Sequence, residues 1–151
     1  MARVEALWIK RMKRGPMDPV PAVRAVARQG LEDNADQGGR RQVTVIEEEV
    51  FRRLDGELPG VEPAMRRANV MVSGVRLERT RDRILHLGDV RLHIRGETRP
   101  CHRMDEARDG LQDALKPAWG GGIYGVVLDD GEIRVGDPVR LEEEEPEDAG
   151  T

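Results

Sequence analysis

The residues best suited to chemistry form one short segment, Arg99-Pro100-Cys101-His102-Arg103. Pro100 favours a turn or an extended bend, so Cys101 is expected on a loop at the end of a strand. Positive neighbours stabilise a thiolate and lower the pKa of a cysteine, and a helix that begins near Arg103 would act in the same direction. The thiolate is the nucleophilic and metal-binding form, so Cys101 is the candidate reactive group.

The alternative interpretation of this segment is structural. Cysteine often packs as a small apolar residue in a core, and an isolated histidine such as His102 is often only hydrogen-bonded at the surface. His86 and His93 are predicted to lie in strands and receive no role. Because the chain has one cysteine, an intramolecular disulfide and a CxxC redox or zinc pair are excluded.

Length and charge indicate one domain followed by an acidic end. The 151 residues suffice for a single core, and we place one domain at residues 1–141. Residues 142–151 contain six acids and no Lys or Arg, so we predict a disordered acidic tail there. Without those six acids the net charge of −4 becomes +2. The mildly basic body suits an anionic small ligand, although its excess of Arg over Lys also fits a bias in genome composition.

Composition excludes two classes of partner. Aromatic residues make up only 3% of the chain, so platforms for stacking nucleic acid bases are nearly absent and no nucleic acid is expected. Apolar runs fall far short of the roughly 20 residues that span a bilayer. The N-terminus lacks the pattern of a secretory signal. We therefore expect a cytoplasmic protein that does not bind membranes.

The pattern along the chain predicts many short strands and two short helices. Apolar or β-branched runs bounded by Gly, Pro and Asp predict strands at residues 4–9, 23–27, 42–46, 69–73, 84–87, 90–94, 123–128, 132–135 and 139–141. Residues 129–131 are predicted to form the hairpin turn that pairs the two strands flanking it. Helices are predicted at residues 47–54, ended by Asp55-Gly56, and at residues 104–115, with Gly110 inside the second. These elements favour a mainly-β barrel or sandwich.

Several of these segments, taken in order, resemble a stand-alone MOSC domain protein. The MOSC domain is the module at the C-terminus of molybdenum cofactor sulfurases. The resemblance is carried by residues 41–46 (RQVTVI), 67–74 (RANVMVSG), 99–101 (RPC), 121–127 (GGIYGVV) and 136–139 (GDPV). It is best over residues 40–141. One departure is Asp33, which occupies a position in the loop of residues 30–39 where the family has glycine.

The resemblance implies a mainly-β, barrel-like fold with two or three short helices, and it implies a class of ligand. In cofactor sulfurases the domain recognises molybdenum cofactor, beside a desulfurase domain that uses pyridoxal phosphate. In related amidoxime-reducing enzymes, a cysteine at the place of Cys101 binds molybdenum. Small stand-alone members are proposed to carry sulfur as a persulfide. Pyridoxal phosphate is therefore expected only on a partner cysteine desulfurase, and a sulfur acceptor protein is the other expected partner.

The matching positions supply the candidate site residues. An anionic pterin phosphate requires arginine forks and backbone N–H groups. The candidates for binding it are Arg41, Arg67, Asn69, Arg99, His102, Gly121 and Gly122, and Cys101 is the catalytic residue and the ligand of molybdenum if that metal is bound. Arg41 and Arg67 are also compatible with ordinary surface positions, and Asn69 with a turn.

Three functional hypotheses remain open from the sequence. The first is a protein that binds molybdenum cofactor or carries sulfur on Cys101. The second is a small molybdenum-dependent reductase of N-hydroxylated substrates. The third is a non-catalytic binding module in which Cys101 only packs, for which a slowly reacting thiol would be the sign.

Overall fold

Strands dominate the structure, a computed structural model that describes residues 1–62, 65 and 67–142. The strands are β1 Arg3–Lys10, β2 Met17–Pro19, β3 Ala22–Val26, β4 Gly30–Leu31, β5 Val43–Glu47, β6 Val70–Ser73, β7 Ile84–Leu87, β8 Val90–Glu97, β9 Ile123–Val127, β10 Gly131–Arg134 and β11 Val139–Leu141. The helices are α1 Glu48–Glu57, α2 Arg103–Ala107 and α3 Leu111–Leu115, with a 3-10 turn at Pro117–Trp119. The predicted mainly-β fold with two or three short helices is confirmed.

The described strands form two sheets. The larger has the order β11-β7-β8-β9-β5-β6-β1-β2 and the smaller has the order β10-β3-β4. Neither closes into a complete barrel. The large sheet does curl back on itself, because Arg3 of β1 forms an isolated bridge with Pro138, just before β11. The Val4 N–H donates to the Asp137 carbonyl oxygen at 2.9 Å beside that bridge.

Each face of the large sheet buries a separate apolar cluster. One cluster contains Val43, Val45 and Ile123 together with Leu31 and Ile133 from the smaller sheet. The other contains Trp8, Ile46, Met71 and side chains of the three helices. Side chains alternate between the faces of a strand, so Thr44 and Tyr124 point to the helix-covered face. Both residues are half-buried, so the helices cover this part of the face incompletely.

The second predicted helix is two helices. Gly110 precedes α3 with a φ of 88°, a left-handed conformation that breaks the helix between Ala107 and Leu111. The first helix runs past the predicted stop at Asp55-Gly56 and ends at Glu57. Its first turn carries Glu48 and Glu49, as expected from the favourable interaction of acids with the positive end of the helix dipole.

The predicted hairpin at residues 129–131 is wrong in its pairing. β10 pairs antiparallel with β3, not with β9. Two aspartates of the connection make other bonds: Asp130 Oδ1 accepts from the Ala27 N–H at 2.8 Å, and Asp129 Oδ2 accepts from the Arg91 N–H at 3.0 Å. These bonds fix the connection between β9 in the large sheet and β10 in the small one. Gly88 and Asp89 join β7 to β8, and these two strands pair antiparallel.

The structure describes only the first residue of the predicted acidic tail. Residues 143–151 of the predicted acidic tail lie outside the described residues. Glu142, the first residue of that tail, donates its N–H to the Ile84 carbonyl oxygen at 2.9 Å. No helix among the described residues is long and apolar enough to cross a membrane.

Candidate functional site

An open cleft of about 790 Å³ occupies the part of the sheet face that the helices leave uncovered. Its floor includes Thr44 of β5, and one wall is α2. Lys10, at the end of β1, follows Trp8 on the same face of the strand. The cleft is lined by Lys10, Arg14, Asp36, Arg41, Thr44, Met65, Arg67, Thr98, Arg103, Met104, Glu106 and Ala107.

Positive charge dominates this cleft. Five of its lining residues are Lys or Arg and two are acids. Lys10 Nζ lies 3.2 Å from Asp36 Oδ2, so one cation is paired. Among the described residues, no carboxylate forms an ion pair with Arg14, Arg41 or Arg103. Three guanidinium groups are therefore available to an anionic ligand.

Arg14 and Arg67 stand at unusual backbone positions on one side of the cleft. Both have φ near 61°, in the left-handed region that non-glycine residues seldom adopt. Arg67 Nη2 donates to the Gly15 carbonyl oxygen at 2.5 Å. This bond ties the segment before β6 to the turn that carries Arg14, so both arginines are held at the same edge.

Arg41 reaches the cleft from the loop before β5. Its guanidinium carbon lies 5.1 Å from the centre of the Tyr124 ring, within the range of a cation–π contact. Arg41 and Arg67, both predicted as ligand-binding residues, thus line one cleft.

Asn69 is buried beneath this cleft and does not line it. It is 4% exposed. Its Nδ2 donates to the Trp8 carbonyl oxygen and to Asn34 Oδ1, both at 3.2 Å. Its Oδ1 accepts from the Thr44 N–H at 3.1 Å. The side chain therefore positions Thr44 and the cleft floor.

Asn34 completes this buried group. Its Oδ1 also accepts from the Lys10 N–H at 2.8 Å. Its Nδ2 is buried without a hydrogen-bond partner among the described residues. Asn34 follows Asp33, which has a φ of 67°. Asp33 therefore adopts a left-handed conformation, which suits the glycine expected at this position.

Cys101 is exposed, between β8 and α2. Its carbonyl oxygen accepts from the Met104 N–H at 2.9 Å. Thr98 precedes Cys101 and Arg103 follows it, and both line the cleft. The thiol thus lies on a segment at the rim, outside the lining itself. The loop position predicted for Cys101 is confirmed, and the helix begins at Arg103 as expected.

Arg99 and His102 share this exposed segment with Cys101. Neither belongs to the residues that line the cleft. The His102 carbonyl oxygen accepts from the Asp105 N–H at 3.1 Å in the first turn of α2. Both residues are thus exposed neighbours of Cys101 along the chain.

Neighbouring backbone lies too close to Gly121 and Gly122 for either position to hold a side chain. A Cβ on Gly121 would lie 2.3 Å from the Thr98 carbonyl oxygen, and one on Gly122 would lie 2.1 Å from that of Val45. The Gly122 carbonyl oxygen accepts from the Thr98 N–H at 2.8 Å. Gly121 and Gly122, predicted to bind a ligand, thus face the backbone of Val45 and Thr98, and the bond to Gly122 holds Thr98 in the cleft wall.

Several lining residues were not predicted from the sequence, chiefly Lys10, Arg14, Thr44 and Arg103. The basic run after the first strand contains both Lys10 and Arg14. It indicates a binding site only once β1 is known to lie beside β6. Arg103 was noted beside Cys101 only for its effect on the thiol.

A family model described as the MOSC domain matches residues 32–140, and the chain belongs to this family. The family is usually linked to molybdenum-cofactor-related function. No curated protein sequence matches the chain significantly.

Solved structures share the fold. The YuaD protein from Bacillus subtilis superposes with a TM-score of 0.77 at 20% identity, covering 93% of this chain and 96% of that chain. YiiM from Geobacillus stearothermophilus gives a TM-score of 0.73 at 18% identity, covering 95% and 76%. YiiM from Escherichia coli gives 0.71 at 16% identity, covering 94% and 70%. At these identities the likeness shows the fold alone.

Proposed function

We propose that the cleft binds molybdenum cofactor and that Cys101 at its rim carries sulfur as a persulfide or binds the molybdenum. The observation that carries the proposal is the set of three guanidinium groups, from Arg14, Arg41 and Arg103, that line one cleft without an ion pair to a described carboxylate. Arginine forks bind phosphate oxygens in a bidentate way. The family's link to this cofactor supports the same ligand.

The lining of the cleft fits a ligand that has both anionic groups and a flat ring system. A volume of about 790 Å³ lies within the usual range of roughly 300–1,000 Å³ for small-molecule sites. Met65 and Met104 add thioether surface to an otherwise polar lining. Thioethers adapt their shape and contact aromatic rings favourably, so they suit the ring system of a pterin.

The side chains near the cleft fit a metal that is bound mainly by the cofactor itself. Among the described residues, no group of three or more His, Cys, Asp or Glu side chains is placed to hold a metal ion. Cys101 offers a single soft sulfur donor, which suits molybdenum in a cofactor whose pterin provides further sulfur. When bound, the cofactor would supply two-electron redox chemistry at the metal.

Sulfur transfer to Cys101 needs only the exposed thiolate and a sulfane donor. The thiolate attacks the outer sulfur of the donor's persulfide, forming one S–S bond as the donor's own S–S bond breaks. The donor thiolate leaves, so no external oxidant or reductant is required. A cysteine desulfurase with pyridoxal phosphate is the partner proposed as donor, and a second protein or the cofactor is the acceptor. Exposure of Cys101 supports access by such a partner.

Persulfide labelling tests the role of the thiol. Purified protein is incubated with a cysteine desulfurase and ³⁵S-labelled cysteine and is then separated without reductant. Label released by dithiothreitol is expected on the wild type and is expected to be lost in Cys101→Ser. Equal labelling of both proteins would contradict this part of the proposal.

Cofactor retention tests the role of the cleft. Molybdopterin is measured after oxidation to its fluorescent derivative in protein purified from a host that makes the cofactor. Arg103→Gln is expected to retain about tenfold less than the wild type, the loss expected for one charge-assisted hydrogen-bonded pair. The matched control is Arg24→Gln, which removes one exposed charge from β3, outside the cleft. Equal loss in both variants would contradict a specific site.

A further inference from the structure

Arg41 is the lining arginine with an aromatic neighbour. Its guanidinium carbon is 5.1 Å from the centre of the Tyr124 ring. No described carboxylate forms an ion pair with it. A free arginine side chain has many rotamers, and fixing it on binding a ligand costs conformational entropy. The ring is therefore the contact that restricts Arg41 before a ligand arrives.

The position of the ring is itself fixed by the sheet. Tyr124 lies between Thr44 on β5 and Gly96 on β8. The β8 register shifts between Ile94 and Gly96, which brings Gly96 opposite Tyr124. A Cβ on Gly96 would lie 2.9 Å from the phenol oxygen and 3.1 Å from Cζ. The ring therefore lies directly across the Gly96 backbone, in space that any side chain at position 96 would fill.

We propose that Tyr124 is a positioning residue: seated on Gly96, its ring holds the Arg41 guanidinium towards the cleft so that it is ready to bind a phosphate-type oxyanion. The inference rests on the proposed function for the identity of the natural ligand. It assigns to Tyr124 a contact with Arg41 and none with the reacting atoms. The aromatic face is the feature required, since a cation–π contact uses the ring and not the hydroxyl.

Pyrophosphate binding, measured by calorimetry at low salt, tests this coupling. The wild type and Tyr124→Phe are expected to bind equally. Tyr124→Leu is expected to bind about three- to tenfold more weakly, the range of a partly exposed cation–π contact. Arg41→Gln is expected to lose at least as much. The double variant is expected to match Arg41→Gln alone, because without the guanidinium the ring has nothing to position.

A ligand-free readout separates positioning from stability. The Nε–H resonance of Arg41, assigned by its absence in Arg41→Gln, is expected to be shifted upfield by the ring in the wild type and in Tyr124→Phe. This shift is expected to disappear in Tyr124→Leu. Tyr124 is the one tyrosine of the chain, so no other phenol ring contributes.

Three results would overturn the inference: no pyrophosphate binding by the wild type, equal binding by Tyr124→Leu and the wild type, or additive losses in the double variant. Failure of the proposed function has a different signature. Pyrophosphate would then bind with the expected pattern, while purified wild type would contain no molybdopterin.

Discussion

Thr44 on β5 and Asn69, just before the neighbouring strand β6, each donate a hydrogen bond to the other. The Thr44 N–H donates to Asn69 Oδ1 at 3.1 Å, and the Asn69 N–H donates to Thr44 Oγ1 at 3.1 Å. Thr44 lines the cleft, whereas Asn69 lies beneath it. A residue that the sequence suggested as a ligand contact therefore acts on the site through its neighbour.

Replacement of Asn69 by Ala is expected to destabilise the fold by about 2–4 kcal/mol, because several buried groups each lose a hydrogen bond. These groups are the Trp8 carbonyl oxygen, the Thr44 N–H and Asn34 Oδ1, of which the last keeps its bond from the Lys10 N–H. Urea denaturation followed by circular dichroism measures the loss. Gln29→Ala, at an exposed position, serves as the control. A loss below about 0.5 kcal/mol, typical of surface substitutions, would show that this network is not important for stability.

Gly122→Ala tests whether β9 must approach β5 so closely. The added Cβ would lie 2.1 Å from the Val45 carbonyl oxygen, at a φ of 89°. We expect a loss of about 3 kcal/mol or more, from strain at positive φ together with overpacking.

Gly60→Ala is the matched control, since Gly60 has a φ of 92° and a Cβ added there would meet nothing within 4 Å. It should cost only about 1–2 kcal/mol, the strain of the left-handed conformation. Thermal unfolding of both variants gives the comparison. Equal losses would mean that backbone strain alone explains the glycine at position 122.

Glu47, at the buried end of β5, is expected to make stability depend on pH. Burial raises the pKa of this carboxyl, and a long hydrogen bond from the Leu77 N–H, at 3.4 Å, opposes the rise. With a folded pKa above the unfolded one, the contribution to stability is complete at low pH and is lost as the pH rises through the folded pKa.

Glu47→Gln removes this titration. Its stability relative to the wild type should therefore increase as the pH rises from about 4 to about 7, across and above the usual range for glutamate. Urea unfolding at several pH values measures the difference. Glu32→Gln, at an exposed position, should follow the wild type throughout. A pH-independent difference for Glu47→Gln would contradict the proposed titration.

The sequence predicted the fold well because its strands are short, apolar and bounded by turn residues. It failed at the connection after β9, where Asp129 and Asp130 bond to Arg91 and Ala27. Those partners are distant along the chain, so the turn residues indicated a hairpin that tertiary contacts override. Gly110 was visible in the sequence, but its left-handed conformation depends on how α2 and α3 pack.

Two of the ligand-binding residues predicted from the sequence, Arg41 and Arg67, line the cleft, because both flank strands that meet in the sheet. Gly121 and Gly122 were also predicted to bind the ligand, and the groups that closely approach them in the structure belong to the protein. Lys10 and Arg14 could not be found from local pattern, since only the pairing of β1 with β6 brings them to Arg67.

Native mass spectrometry shows whether Cys101 carries sulfur and whether the cleft holds the cofactor. The protein is purified without reductant from a host that makes molybdenum cofactor, alongside Cys101→Ser and Arg103→Gln. We expect added mass on the wild type, either of one sulfur or of the cofactor. Cys101→Ser should lack the sulfur increment, and Arg103→Gln should show less cofactor. A wild-type protein at its bare sequence mass, or the same additions on all three proteins, would contradict the proposed function.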